Sequence, residues 1–200
     1  MKRVLIGLFA VSVLGTLAYG QGITGGGSIE RSFSEGGMVR FSLSSGDYTV
    51  RAGASDRIRI TWCVDEEARV KDLKKISVDT HLSGTTATII TDGPTKHVRF
   101  TIEIPARSDV YLRMRAGDVR VDGIEGNKNI RMTAGDLNID VQPASLSRAH
   151  ASVTFGDIQA RDLGITKGGI KRSMDWEGDG RYTLDARLFA GDLILSDGKR

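Results

Sequence analysis

The sequence predicts an all-β fold, a β-solenoid or β-roll of short stacked strands turned at Gly-Asp corners. Three observations predict it. Apolar residues alternate with polar ones from Val110 to Val141: Val110, Leu112 and Met114, then Val119 and Val121, then Ile130 and Met132, then Leu137, Ile139 and Val141. A period of two belongs to strands with one buried face. The strand–corner–strand phrase recurs at Gly46-Asp47, Gly117-Asp118, Gly135-Asp136, Gly156-Asp157 and Gly191-Asp192. Finally, the chain holds 25 Gly but only 3 Pro, is 6% aromatic, and has no long run of apolar residues at helical spacing.

Aligned on the corner glycine, three columns are apolar throughout. The third residue before it is Leu43, Met114, Met132, Val153 or Leu188. The second after it is Tyr48, Val119, Leu137, Ile158 or Leu193, and the fourth is Val50, Val121, Ile139, Ala160 or Leu195. The last four corners lie 18, 21 and 35 residues apart. A period near twenty points to units that stack and bury a shared core. Gly supplies the positive φ that a sharp corner needs. Asp can accept hydrogen bonds from nearby backbone N–H groups. The competing reading is a stacked row of carboxylates holding calcium, but the Gly-Asp pair is a favoured turn dipeptide in any case.

In chain order, residues 1–20 read as a secretory signal. Lys2 and Arg3 form its basic end, Val4–Leu17 its apolar run, and Ala18-Tyr19-Gly20 its cleavage site. The mature chain is then expected to begin at Gln21, exported to the periplasm or beyond the cell, with no membrane span after cleavage. No Cys follows the run, which argues against a lipid anchor. Removing Lys2 and Arg3 lowers the net charge from +3 to +1, and no long basic block exists, so no nucleic-acid partner is indicated. Residues 21–28 read as a flexible Gly-rich lead. Residues 29–200 read as a single β-repeat domain.

Within it, Met38–Leu43 alternates into the first corner and Tyr48–Arg51 leaves it. Arg57–Val64 is a strand with Ile58, Ile60, Trp62 and Val64 inward. Residues 65–75 are charged and suit a short helix or a loop. Ile76–Val78 and Thr86–Ile90 pair about Ser83-Gly84-Thr85, Asp92-Gly93-Pro94 turns, and His97–Pro105 is again a strand. Beyond Val141, residues 143–147 form a loop and residues 164–169 a Gly-rich break. Met174–Leu184 reads as a hairpin that places Trp176 near Tyr182 and covers the open end of the array.

The repeated apolar–x–Ala–Gly–Asp–apolar–x–apolar units resemble the "putative adhesin" family of bacterial secreted proteins, long catalogued as a domain of unknown function. Ile102-Glu103-Ile104-Pro105 running into the tandem corners fits it, as do Gly168-Gly169-Ile170, Gly178-Asp179-Gly180 and Ala190-Gly191-Asp192-Leu193. The likeness covers roughly residues 36–196. It implies a β-solenoid or β-roll and adhesion, but no defined ligand and no functional residues. The long interval between Gly46 and Gly117 departs from a regular repeat.

The residues offer little chemistry. His81, His97 and His150 share no metal-ligand spacing. There is no Gly-x-Ser-x-Gly elbow and no phosphate-binding loop. Stacked corners would set Asp118 and Asp136 about 4.8 Å apart, close enough for a glycosidase pair. A catalytic pair, however, should be unique, and these Asp recur at every corner. Cys63 is the lone cysteine, so no internal disulfide forms, and its parity opposes Ile60 and Trp62.

The expectation is a non-catalytic adhesin-like module with no cofactor, no catalytic residues and no metal. It is expected to bind envelope polysaccharide or another surface protein through rows of outward side chains such as Arg113, Arg115, Arg120 and Arg131. A carbohydrate-active enzyme using Asp/Glu carboxylates is the alternative.

Overall fold

The computed structural model describes residues 23–65, 76–93 and 98–197. The signal segment, Gln21, the charged stretch 66–75, Pro94 and His97 lie outside the described residues. The chain forms β1 (Ile23–Ser32), β2 (Met38–Leu43), β3 (Gly46–Gly53), β4 (Arg57–Asp65), β5 (Ser77–Ser83), β6 (Thr86–Asp92), β7 (Val98–Pro105) and β8 (Asp109–Asp122). There follow β9 (Lys128–Ala134), β10 (Leu137–Asp140), β11 (Leu146–Phe155), β12 (Ile158–Ala160), β13 (Ile165–Lys167), β14 (Ile170–Glu177), β15 (Tyr182–Ala190) and β16 (Leu193–Ser196). Two 3-10 turns, at Pro143–Ser145 and Arg161–Leu163, are the sole helical turns among the described residues.

All sixteen strands among the described residues belong to one mixed sheet that folds at the corners into two halves. β8 runs through the corner at Gly117 and serves both. Its first part pairs with β2 and β9, its second with β3 and β10. One half therefore reads β5-β6-β2-β8-β9-β15-β11-β14, and the other β1-β4-β7-β3-β8-β10-β16-β12-β13. The central neighbours run parallel. Antiparallel pairs occur toward the ends: β1 with β4, β4 with β7, β5 with β6, β12 with β13 and β11 with β14. The sheet is open, with β1 and β13 as the edges of one half and β5 and β14 of the other.

The inner faces share one core. All three apolar columns are buried, from Leu43, Met114, Met132, Val153 and Leu188 to Val50, Val121, Ile139, Ala160 and Leu195. Burial of apolar surface in register down a stack is the main favourable contribution to folding. Tyr48 joins this core and stacks on Phe100, with ring centroids 4.8 Å apart. Its buried hydroxyl bonds to Thr91 Oγ1 at 2.7 Å and Ser44 Oγ at 2.9 Å, as a buried phenol requires.

Five features differ from the sequence reading, one being strand β13 within the expected break at 164–169, where Ile165–Lys167 pairs back along β12. Part of the Gly-rich lead is strand: β1 starts at Ile23 and pairs along β4. A Cβ on Gly27 would lie 2.2 Å from the Trp62 ring, so glycine here admits the indole rather than supplying flexibility. The corners stack out of chain order, as Gly46, Gly117, Gly135, Gly191 and Gly156. The long interval after Gly46 does not break the stack, because Gly46 pairs directly with Gly117 and the strands between them extend both halves outward. Finally, β14 and β15 are not a hairpin. β11 lies between them, pairing Trp176 with Ala149 and Tyr182 with Leu146, and the Gly178–Gly180 link bonds across Leu146 and Ser147.

Candidate functional site

The corners form a continuous column. At Gly117 φ is 118° and at Gly135 it is 111°, values that side-chain-bearing residues rarely adopt. The glycines at 46, 156 and 191 also have positive φ. A second constraint is closer: a Cβ on Gly135 would lie 1.9 Å from the Gly117 carbonyl oxygen, and one on Gly117 2.1 Å from that of Gly46. The acids link neighbouring corners. Asp136 N–H donates to Asp118 Oδ1 at 3.0 Å, Asp192 N–H to Asp136 Oδ1 at 3.1 Å, and Asp157 N–H to Asp192 Oδ1 at 3.1 Å. Asp47 lies beside Asp118 at the far end of the column. No group of three or more His, Cys, Asp or Glu among the described residues could hold a metal ion. Asp118 and Asp136, the acids that the glycosidase reading would pair, each accept from the next corner's backbone.

The remaining sequence candidates are scattered. His81 is exposed on edge strand β5, far along the row from His150. His150 Nδ1 lies 2.8 Å from Asp175 Oδ1, and this hydrogen bond holds the Asp175 carboxyl below its ordinary range, with Arg148 adding to the effect. Cys63 is half-buried, its Sγ 3.8 Å from the Arg99 carbonyl oxygen.

The two outer faces differ in how their charges are matched. On the outer face of the β1–β13 half, charges neutralise one another. Arg59 pairs with Glu30 at 2.5 Å and Arg51 with Glu103 at 2.6 Å across strands, and Arg120 with Asp122 at 2.7 Å along β8. Along the register Glu30, Arg59, Glu103, Arg51 and Asp122 are successive neighbours, an alternating ladder of the kind that stabilises a sheet.

The outer face of the β5–β14 half carries a column of one sign. Arg113, Arg131 and Arg187 are direct neighbours on β8, β9 and β15, and all are exposed. Strand spacing puts their Cα atoms about 4.8 Å apart. Of the three, Arg187 alone has an acid partner, its forked contact to Asp185 at 3.0 and 3.1 Å raising its pKa. Arg113 and Arg40 flank the Tyr111 ring at 5.2 and 5.4 Å, a cation–π arrangement. No carboxylate among the described residues bridges Arg40, Arg113, Arg115 or Arg131.

Two open depressions border this column. One, beside the first corner, is lined by Ser42, Thr91, Asp92, Arg113 and Arg115. The other is lined by Asn129, Arg148, His150, Asp185 and Arg187. Past Arg187 on the same face stands Phe189, 53% exposed, its ring edge-on to that of Phe155 at 5.4 Å.

The structure thus joins Arg113 to Arg131, places Arg115 further along the same face, and sends Arg120 to the opposite face as an ion-pair partner of Asp122. Arg187 escaped the sequence reading. A signal for it existed: it precedes its corner glycine by four residues, as Arg113 and Arg131 precede theirs.

No protein-family model matches this chain, and no curated protein does. Among solved structures, a "putative cell adhesion protein" from Clostridium sporogenes superimposes with a TM-score of 0.56 at 11% identity, covering 86% of this chain and 99% of that one. A "putative adhesin" from Bacteroides fragilis aligns over 86% of this chain and 98% of its own, with a TM-score of 0.27 at 11% identity. The Clostridium sporogenes structure shares the fold of this chain.

Proposed function

We propose that this protein is a non-catalytic, adhesin-like binding module, exported on the signal segment 1–20 and acting at the cell envelope or outside the cell. In this reading it is a member of the adhesin family that its repeats resemble. The domain is a roll whose Gly-Asp corners are structural, and its contact surface is the outer face of the β5–β14 half. The partner is an envelope polysaccharide or another surface protein.

One observation carries the proposal: the opposite face neutralises its own charge, whereas this face holds an in-register arginine column with unpaired members. Like charges directly across a sheet destabilise it. An uncompensated column is therefore better explained by a partner than by folding. Isolated envelope fractions test the reading: the purified protein should co-sediment with them and be displaced by excess unlabelled protein. Failure to bind any fraction at high protein concentration would overturn it.

A further inference from the structure

We infer that the arginine face binds an anionic polysaccharide, a sugar chain bearing carboxylate or sulfate groups, laid across the strands from Arg113 toward Phe189. The inference rests on the binding-module reading and names its ligand class. Arg113 and Arg131 have exposed guanidinium groups without an acid partner, and Arg187 continues their column. A guanidinium presents a planar fork of donors that matches carboxylate and sulfate oxygens. Like charges carried side by side on neighbouring strands repel each other. An anionic chain converts that repulsion into attraction, which a neutral chain does not.

The second half of the argument is apolar. Phe189 lies two residues beyond Arg187 on the same face of β15, about 7 Å along the strand. Phe155 meets it edge-on, and the two rings are 53% and 48% exposed. Half-exposed rings in contact form a small apolar platform on an otherwise charged face. The C–H face of a pyranose ring is apolar, and its carboxylate or sulfate substituents lie at the rim. Arginine column and aromatic platform together fit that pair of properties. The whole chain carries a net charge of only +3, so the positive character is local to this face and not a general attraction to polyanions.

Binding of the full chain to polygalacturonate, dextran sulfate and neutral dextran tests this, with single-stranded DNA and phosphatidylglycerol vesicles as further probes. The expected result is binding to one or both anionic polysaccharides and none to dextran, weakening as salt is raised. The Arg113→Gln/Arg131→Gln double variant should bind about tenfold more weakly, the factor expected for two lost exposed charge contacts. Phe189→Ala should also weaken binding. Arg120→Gln, on the opposite face, should leave it unchanged. Equal binding to dextran, no loss in the double variant at an unchanged Tm, or preference for DNA or vesicles would overturn the inference. If envelope fractions are bound but no anionic polysaccharide is, the ligand class is wrong and the binding-module reading stands. Binding to anionic polysaccharide without binding to any envelope fraction would give the reverse.

Discussion

At the scale of single residues, the corner glycines answer two separate demands. Gly135 combines a φ of 111° with a Cβ position only 1.9 Å from the Gly117 carbonyl oxygen. Gly84 has a φ of 56°, and nothing lies within 4 Å of its Cβ position. Gly84→Ala should therefore cost about 1–2 kcal/mol, the price of a left-handed backbone alone. Gly135→Ala should cost more than about 3 kcal/mol, because strain and overlap with a neighbouring backbone add. Urea denaturation of the two variants checks this, and equal losses would show that the close approach relaxes freely.

Lys128 is the other residue with a local consequence. It is 5% exposed, and its Nζ donates to the Ile124 carbonyl at 2.6 Å and the Gly126 carbonyl at 3.3 Å. Burial pushes its pKa from 10.5 down to about 8, against the opposing attraction of Asp140, Asp109 and Glu125. Below the folded value both states are charged. Between about 8 and 10.5 the unfolded chain keeps a proton that the folded chain has released, so stability rises with pH through that window. The full rise is at most about 3 kcal/mol. Chemical denaturation from pH 8 upward should show it, and Lys128→Met should flatten it.

At the scale of elements, the edges and the corners are built differently. Edge strand β1 is held by pairing with β4 and by the Trp62 ring seated over Gly27. Gly27→Ala should push that ring away, shift tryptophan emission and expose the β1 amides to hydrogen exchange. The β8 and β10 amides should keep their protection, since they sit mid-sheet. If β1 protection is unchanged, the indole is not what seats the strand. The corners are instead cross-linked. Each of Asp118, Asp136 and Asp192 accepts an N–H from the next corner in space, so the column is continued by side chains where the backbone turns. Sequence reasoning placed the corners and the strands flanking them but read much of β1 as a flexible lead and paired β14 with β15, because adjacent segments around Gly178-Asp179-Gly180 look like a hairpin. The insertion of β11 between them comes from long-range pairing, which leaves no local mark.

At the scale of the whole molecule, one core spans both halves, so stability should be shared unequally between centre and rim. Leu137 is fully buried, between Val119 and Leu193 on neighbouring strands. Leu137→Ala should cost about 2–5 kcal/mol. Leu82, 44% exposed on edge strand β5, should tolerate the same change within about 0.5 kcal/mol. Denaturation midpoints compare the two directly, and similar losses would mean that the β5 edge is buried by something beyond this chain. The arginine face is also a property of this scale. Its column exists because β8, β9 and β15 lie side by side in register, although β15 is remote from the other two in sequence.

The sequence by itself determined the strands that flank the five corners, which of their faces is buried, and where the chain turns between them, though it did not mark β1 in the Gly-rich lead or β13 in the break at 164–169. Those features depend on a period of two and on local φ, both written in neighbouring residues. All fifteen positions of the three apolar columns accordingly lie in the core. Only the tertiary structure decided the lateral order. Strands with the same alternation are interchangeable partners, so nothing local places Gly191 between Gly135 and Gly156 or β11 between β14 and β15. Once that order is set, the rest follows. Gly117 and Gly135 must be glycine for the neighbouring backbone as well as for φ, Arg51 finds Glu103 across β3 and β7, and Arg113, Arg131 and Arg187 come together on one face. Charge matching across a sheet depends on who the neighbour is, and neighbours are chosen by pairing over long stretches of chain.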